Sequence, residues 1–170
     1  MWILRTLYRL TAPKTLGAVG FYPLPAFLRQ YFDRLTKIKQ IAIYARLVEN
    51  TSFWKRAPAE LACAESVTSI LNTLFGFPII TGTYTLLEYL KKRADWIEIT
   101  SPIDGCIVLA ATGTGKPGSV GHVGILSNGR VYSNNSYTGK WDKHYSLLTF
   151  KAKYQVELGI MVRYFIPKQP

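Results

Sequence analysis

Asn128-Gly129 stands between two apolar runs, residues 120–126 and 130–135, and this dipeptide is the strongest short signal for a two-residue β-hairpin. Such a loop pairs Ser127 with Arg130. Leu126 then faces Val131, Gly124 faces Ser133 and His122 faces Asn135 on shared sides of the ribbon. Asn134 points to the opposite side, and a bulge or longer loop would exchange the two asparagines. An antiparallel sheet is therefore expected in the second half of the chain.

Upstream the apolar period is helical. Phe27, Tyr31, Leu35, Ile38, Ile41 and Ala45 recur at three- and four-residue steps, which predicts a helix over 26–50. A second helix is expected over 60–75, with Val67, Ile70, Leu71 and Leu74 as its stripe and Gly76 as its left-handed stop. A third starts after Gly82-Thr83 and ends in Lys91-Lys92-Arg93, charges that suit a helix C-terminus. Beyond Ser101-Pro102 the pattern turns to strands, at 106–111, the two hairpin arms, 147–151 and 159–166. Helices first and strands later predict an α+β fold with an antiparallel sheet.

The chain has 170 residues, 48% of them hydrophobic, which suits one globular domain with or without an extension. Its 21 basic and 10 acidic residues leave a net charge of +11, which favours polyanionic partners. The first fifty residues alone hold eight basic and two acidic side chains. That imbalance sets a boundary near residue 55, with 1–55 as a basic helical extension and 56–170 as the main domain. Residues 15–28 resemble the front of an export signal but lack a small-x-small cleavage site. No apolar run reaches 18 residues, so no ordinary transmembrane segment is expected.

Three motifs fail on inspection. Residues 113–118 match GxGxxG, yet Pro117 and a strand follow where a phosphate-binding helix is needed. Read as a phosphate loop, the same stretch has Ala110 in place of the first glycine and Pro117 in place of the hydroxyl that meets magnesium. Cys63, Cys106, His122 and His144 include none of the close pairs that structural zinc sites use. A flexible loop and ordinary core residues account for all three.

Two residues carry chemistry. Cys63 lies near the start of the second helix, where free amides and the helix dipole favour a thiolate. His122 lies within a strand between Gly121 and Gly124, where a polar ring needs a partner. Asn135, with Asn134 in reserve, is placed to orient that ring. Cysteine, histidine and asparagine in this order form the layout of a thiol hydrolase, needing neither metal nor cofactor.

Cys-Ala-Glu-Ser at the helix start, Asp-Gly-Cys-Ile-Val-Leu after Ser-Pro, Gly-His-Val-Gly-Ile-Leu, and Ser-Asn-Asn-Ser-x-Thr-Gly-x-Trp occur in this order. Together they resemble the papain-like peptidoglycan hydrolases of the CHAP and NlpC type, phage endolysins among them, over residues 56–165. The resemblance implies a papain-like fold, with N-terminal helices on a small antiparallel sheet. It also implies cleavage of an amide in the cell-wall peptide, with Cys63 as nucleophile, His122 as base and a third member within 133–135. Where the family usually has Gly-Asp before the histidine strand, this chain has Gly105-Cys106. The partners expected are bacterial peptidoglycan and its anionic wall polymers, not a specific nucleic acid. Synthesis in a host cytoplasm, with action on the wall after release or from a virion, fits this reading.

Two other readings compete. The basic first fifty residues, with Trp2, Tyr8, Phe21 and Tyr22 interleaved, could bind an anionic polymer by charge and stacking. A papain-like structural protein that has lost activity would carry an unreactive Cys63.

Overall fold

The computed structural model describes Thr6 and residues 25–53, 56–58 and 61–169. Trp2, Tyr8, Phe21, Tyr22, Glu60 and residues 15–24 of the signal-like stretch lie outside the described residues. From residue 25 onward, four helices come first: α1 (Ala26–Asp33), α2 (Lys37–Leu47), α3 (Cys63–Phe75) and α4 (Thr83–Lys92). Strands β1 (Trp96–Ile99), β2 (Ile107–Ala110), β3 (His122–Ser127), β4 (Arg130–Asn135) and β5 (Lys140–Ser146) follow. A short α5 (Leu147–Lys151) runs into a wider π-type segment (Ala152–Glu157), and β6 (Val162–Pro167) closes the described chain. The strands make one antiparallel sheet in the order β1-β6-β2-β3-β4-β5. The fold is α+β.

The hairpin has the expected register, with Ser127 opposite Arg130 and Gly124 opposite Ser133. Asn128 and Gly129 take φ of 50° and 69°, as a tight turn matched to strand twist requires. Gly76 ends α3 at φ 69°. The stretch 26–50 is two helices, not one. The chain turns at Arg34 and Leu35, and Thr36 starts α2 by accepting a hydrogen bond from the Lys39 amide at 3.4 Å. Residues 147–151 are helical, not a strand. Ser146 and Thr149 exchange side-chain to backbone hydrogen bonds at 3.0 and 3.1 Å, a capping box that turns the chain out of β5.

The sheet is covered on both faces. Leu109, Val123, Ile125, Tyr132 and Trp141 share a core with Ile41, Val67 and Ile70 of the N-terminal helices. Val108, Ala110, Leu126 and Val131 form a second core with Phe150 and Tyr154 of the α5 segment. Strand residues alternate between these layers, as the two-residue period demands. Cys63 belongs to the first core and Cys106 to the second, and both thiols are free.

Helix α2, on the basic side of the charge boundary, shares a core with α3. Ile41, Tyr44, Ala45 and Leu47 of α2 are buried in the same core as α3. Arg46 donates to the Ser127 hydroxyl at 2.7 Å and to Asn128 Oδ1 at 3.0 Å, and Ser127 Oγ donates to the Ala42 carbonyl at 3.0 Å. Gly105 adopts φ 91°, and a Cβ there would meet the Ile38 carbonyl oxygen at 2.2 Å. That close approach presses α2 against the entry to β2. None of the described helices is long and apolar enough to cross a membrane.

Candidate functional site

Cys63 is the first residue of α3 and is buried beneath the start of β3. Burial pushes its thiol up to about 11, opposed by backbone hydrogen bonds from Val123, Ala64 and its own amide. The helix start thus offers the stabilisation expected of it, but exclusion of water outweighs it. The approach to α3 is held by Glu65, whose buried carboxylate accepts from the Arg56 amide at 2.9 and 3.1 Å and from the Ala57 amide at 2.8 Å.

His122 is the neighbour of Val123, yet its ring lies on the other face of the sheet. It stacks on Tyr154 at 5.5 Å with an interplanar angle of 7°, and meets Tyr145 and Phe150 at 5.8 and 6.0 Å. Burial, with the positive charges of His144 and Lys153 adding to it, pushes the imidazole down to about 3. Nε2 is buried without a hydrogen-bond partner. The Cys63 sulfur therefore touches the backbone beside His122, while the ring occupies the opposite layer.

The third position differs from the geometric expectation. Asn135 does not hold the His122 ring. Its amide nitrogen sits 3.4 Å from His144 Nδ1, and its Oδ1 accepts from the amides of Tyr137 and Thr138 at 2.9 and 3.4 Å. The reason is β5, which brings His144 alongside β4 and competes for that side chain. Asn134, the reserve residue, lines the same cavity as His122.

Two cavities meet at Val120 and Gly121. One, of about 420 Å³, reaches Cys63 and is lined by Leu61, Thr81, Tyr84, Thr112 and Val120 among others. The other, of about 230 Å³, contains His122, Asn134, His144, Tyr145, Lys153 and Tyr154. Hydrogen bonds hold the partition in place. Gly121 donates to Thr112 Oγ1 at 2.8 Å, and the Thr112 amide donates to Thr83 Oγ1 at 2.9 Å. A Cβ on Gly121 would meet the Ala110 carbonyl oxygen and the Thr112 nitrogen at 2.3 Å, so only glycine fits.

Sequence reasoning missed Tyr145, Lys153 and Tyr154, and weighed His144 only as a zinc ligand. Their signal was the Ser-x-x-Thr capping box at Ser146, which places 147–157 as a helical layer over the sheet. Residues 113–118 lie in the loop joining β2 to β3, and a strand follows them. Among the described residues, no three His, Cys, Asp or Glu side chains are grouped to hold a metal ion. At neutral pH the site holds a protonated thiol and a neutral imidazole. Such a pair reacts only by moving the thiol proton to a base as the sulfur attacks. No family model matches the chain, and no curated protein or solved structure matches it either.

Proposed function

We propose that this chain is a papain-like thiol hydrolase acting on an amide of the bacterial cell-wall peptide. The observation that carries this reading is the seat of Cys63, at a helix N-terminus with its sulfur on the Val123 amide, one residue from His122. In this reading the thiol proton reaches the His122 imidazole around Gly121, where the two cavities meet, and the sulfur bonds to the carbonyl carbon. The carbon–nitrogen bond then breaks, and the imidazolium returns that proton to the leaving amine. Water next adds to the thioester carbon and the carbon–sulfur bond breaks. The products are one acid and one amine, and the thiol is restored. The Cys63 amide is the candidate donor for the oxyanion. The net charge of +11 draws the protein toward anionic wall polymers.

One observation favours a second reading, an inactive papain-like binding protein. Thiol and imidazole are both buried in their neutral forms, on opposite faces of β3. Turbidity loss of purified peptidoglycan, wild type beside Cys63→Ala, separates the two. Clearing by wild type alone, with new amine and carboxyl termini in the fragments, supports the hydrolase. Equal clearing by both proteins, or none on several wall types, removes the wall-hydrolase reading.

A further inference from the structure

The two cavities flanking Gly121 differ in chemistry. The Cys63 groove is rimmed by Leu61, Tyr84 and Val120, which are 49%, 53% and 55% exposed, an unusual concentration of open apolar surface around one thiol. Among the described residues, no charged side chain lines it. The His122 cavity is polar. Lys153 and His144 line it, no carboxylate does among the described residues, and the Lys153 ammonium sits over the rings of Tyr145 and Tyr154 at 5.8 and 5.6 Å. Asp142 lies within electrostatic reach of His144 but is not part of the wall. The His122 ring, nine-tenths buried, leaves Nε2 unpartnered in this layer.

In a thiol hydrolase the acyl group stays on sulfur and the leaving amine takes its proton from the imidazole. The acyl portion therefore belongs on the Cys63 side of Gly121 and the leaving group on the His122 side. We infer that the substrate is an amide with an apolar acyl portion in the Cys63 groove and a leaving amine that carries a carboxylate toward Lys153 and His144. This rests on the thiol-hydrolase reading and narrows it. Within a wall peptide, it selects bonds with an apolar residue on the carbonyl side and an amino acid bearing a free carboxylate on the amine side.

Three small probes test it: N-octanoyl-glycine, N-octanoyl-glycinamide and N-acetyl-glycine. Binding to Cys63→Ala protein is measured by calorimetry, and glycine release by wild type is measured separately. Octanoyl-glycine is expected to bind at least tenfold more tightly than either control. Lys153→Gln should abolish the preference for carboxylate over carboxamide, and Val120→Asp the preference for the long chain. Both substitutions lie at exposed positions, so the fold is not at stake. Equal affinities, or no binding by any probe, overturn the inference. The parent reading is scored by cleavage alone, since glycine released equally by wild type and Cys63→Ala would remove Cys63 from the chemistry whatever the binding order.

Discussion

The indole nitrogen of Trp141, on β5, donates a 2.8 Å hydrogen bond to the carbonyl oxygen of Ala45 within α2. Trp141 is fully buried, and its ring meets Phe53 edge-on at 6.2 Å. This contact fastens a helix from the basic N-terminal stretch to an edge strand of the sheet. Trp141→Phe removes the donor and leaves a small void. It should cost about 2–3 kcal/mol, read as a lower urea midpoint with an unchanged slope.

Glu65 makes the second prediction. Its carboxylate gathers the amides of Arg56 and Ala57 against the first turn of α3. Glu65→Ala abandons these charge-assisted bonds and should lose about 3 kcal/mol, with Glu65→Gln losing roughly half as much. Because Arg56 is exposed, the loosened segment should also be cut there by trypsin far faster than in wild type. An unchanged cutting rate would show that the segment is held by other contacts.

Acid should destabilise the protein through His122. The unfolded imidazole takes a proton near its ordinary value of 6.5, whereas the folded one resists until about 3. Between these limits the unfolded chain binds the extra proton, so stability falls as pH falls. The slope from this group approaches about 1.4 kcal/mol per pH unit. His144, also shifted downward by burial, adds to it over the upper part of the window. His122→Phe should flatten the curve of unfolding free energy against pH between 6 and 3, and a curve as steep as wild type would refute the assignment.

Alkylation reads the resting state of Cys63. With the thiol pushed up to about 11, iodoacetamide should modify it slowly at pH 7. The rate should climb about tenfold per pH unit toward that value. Peptide mapping separates it from Cys106, which burial pushes up to about 12. A rate that levels off near pH 7 would mean a thiolate already formed in the free protein.

What could be read in the chain was local. The Asn128-Gly129 turn, the Gly76 stop and the lysines closing α4 act within a few residues, and each sits where its chemistry requires. Strands β1 and β5 carry no comparable mark. β5 reads Lys-Trp-Asp-Lys-His-Tyr-Ser, and its place depends on pairing with β4 through an irregular register near Val131 and Ser133. The site suffered from the same gap. Cys63 and His122 stand out by residue type, but the layer each faces depends on α5, whose residues carry a strand-like pattern, and on the π-type segment, which carries no mark of its own in the sequence. The hairpin register at Gly124 and Ser133 was correct, yet Asn135 turns to His144 because β5 supplies a nearer partner.

The bond between Ala45 and Trp141 spans 96 residues of sequence. A ribosome adds about 5–20 residues per second, so α2 emerges roughly 5–20 s before the tryptophan that anchors it. Until β2 and β3 follow, Ile41, Tyr44 and Leu47 have no sheet to lie against. The early helices of this chain are thus the segment a nascent-chain chaperone would meet, and slowing translation between residues 50 and 141 should raise the yield of aggregate more than slowing it afterwards.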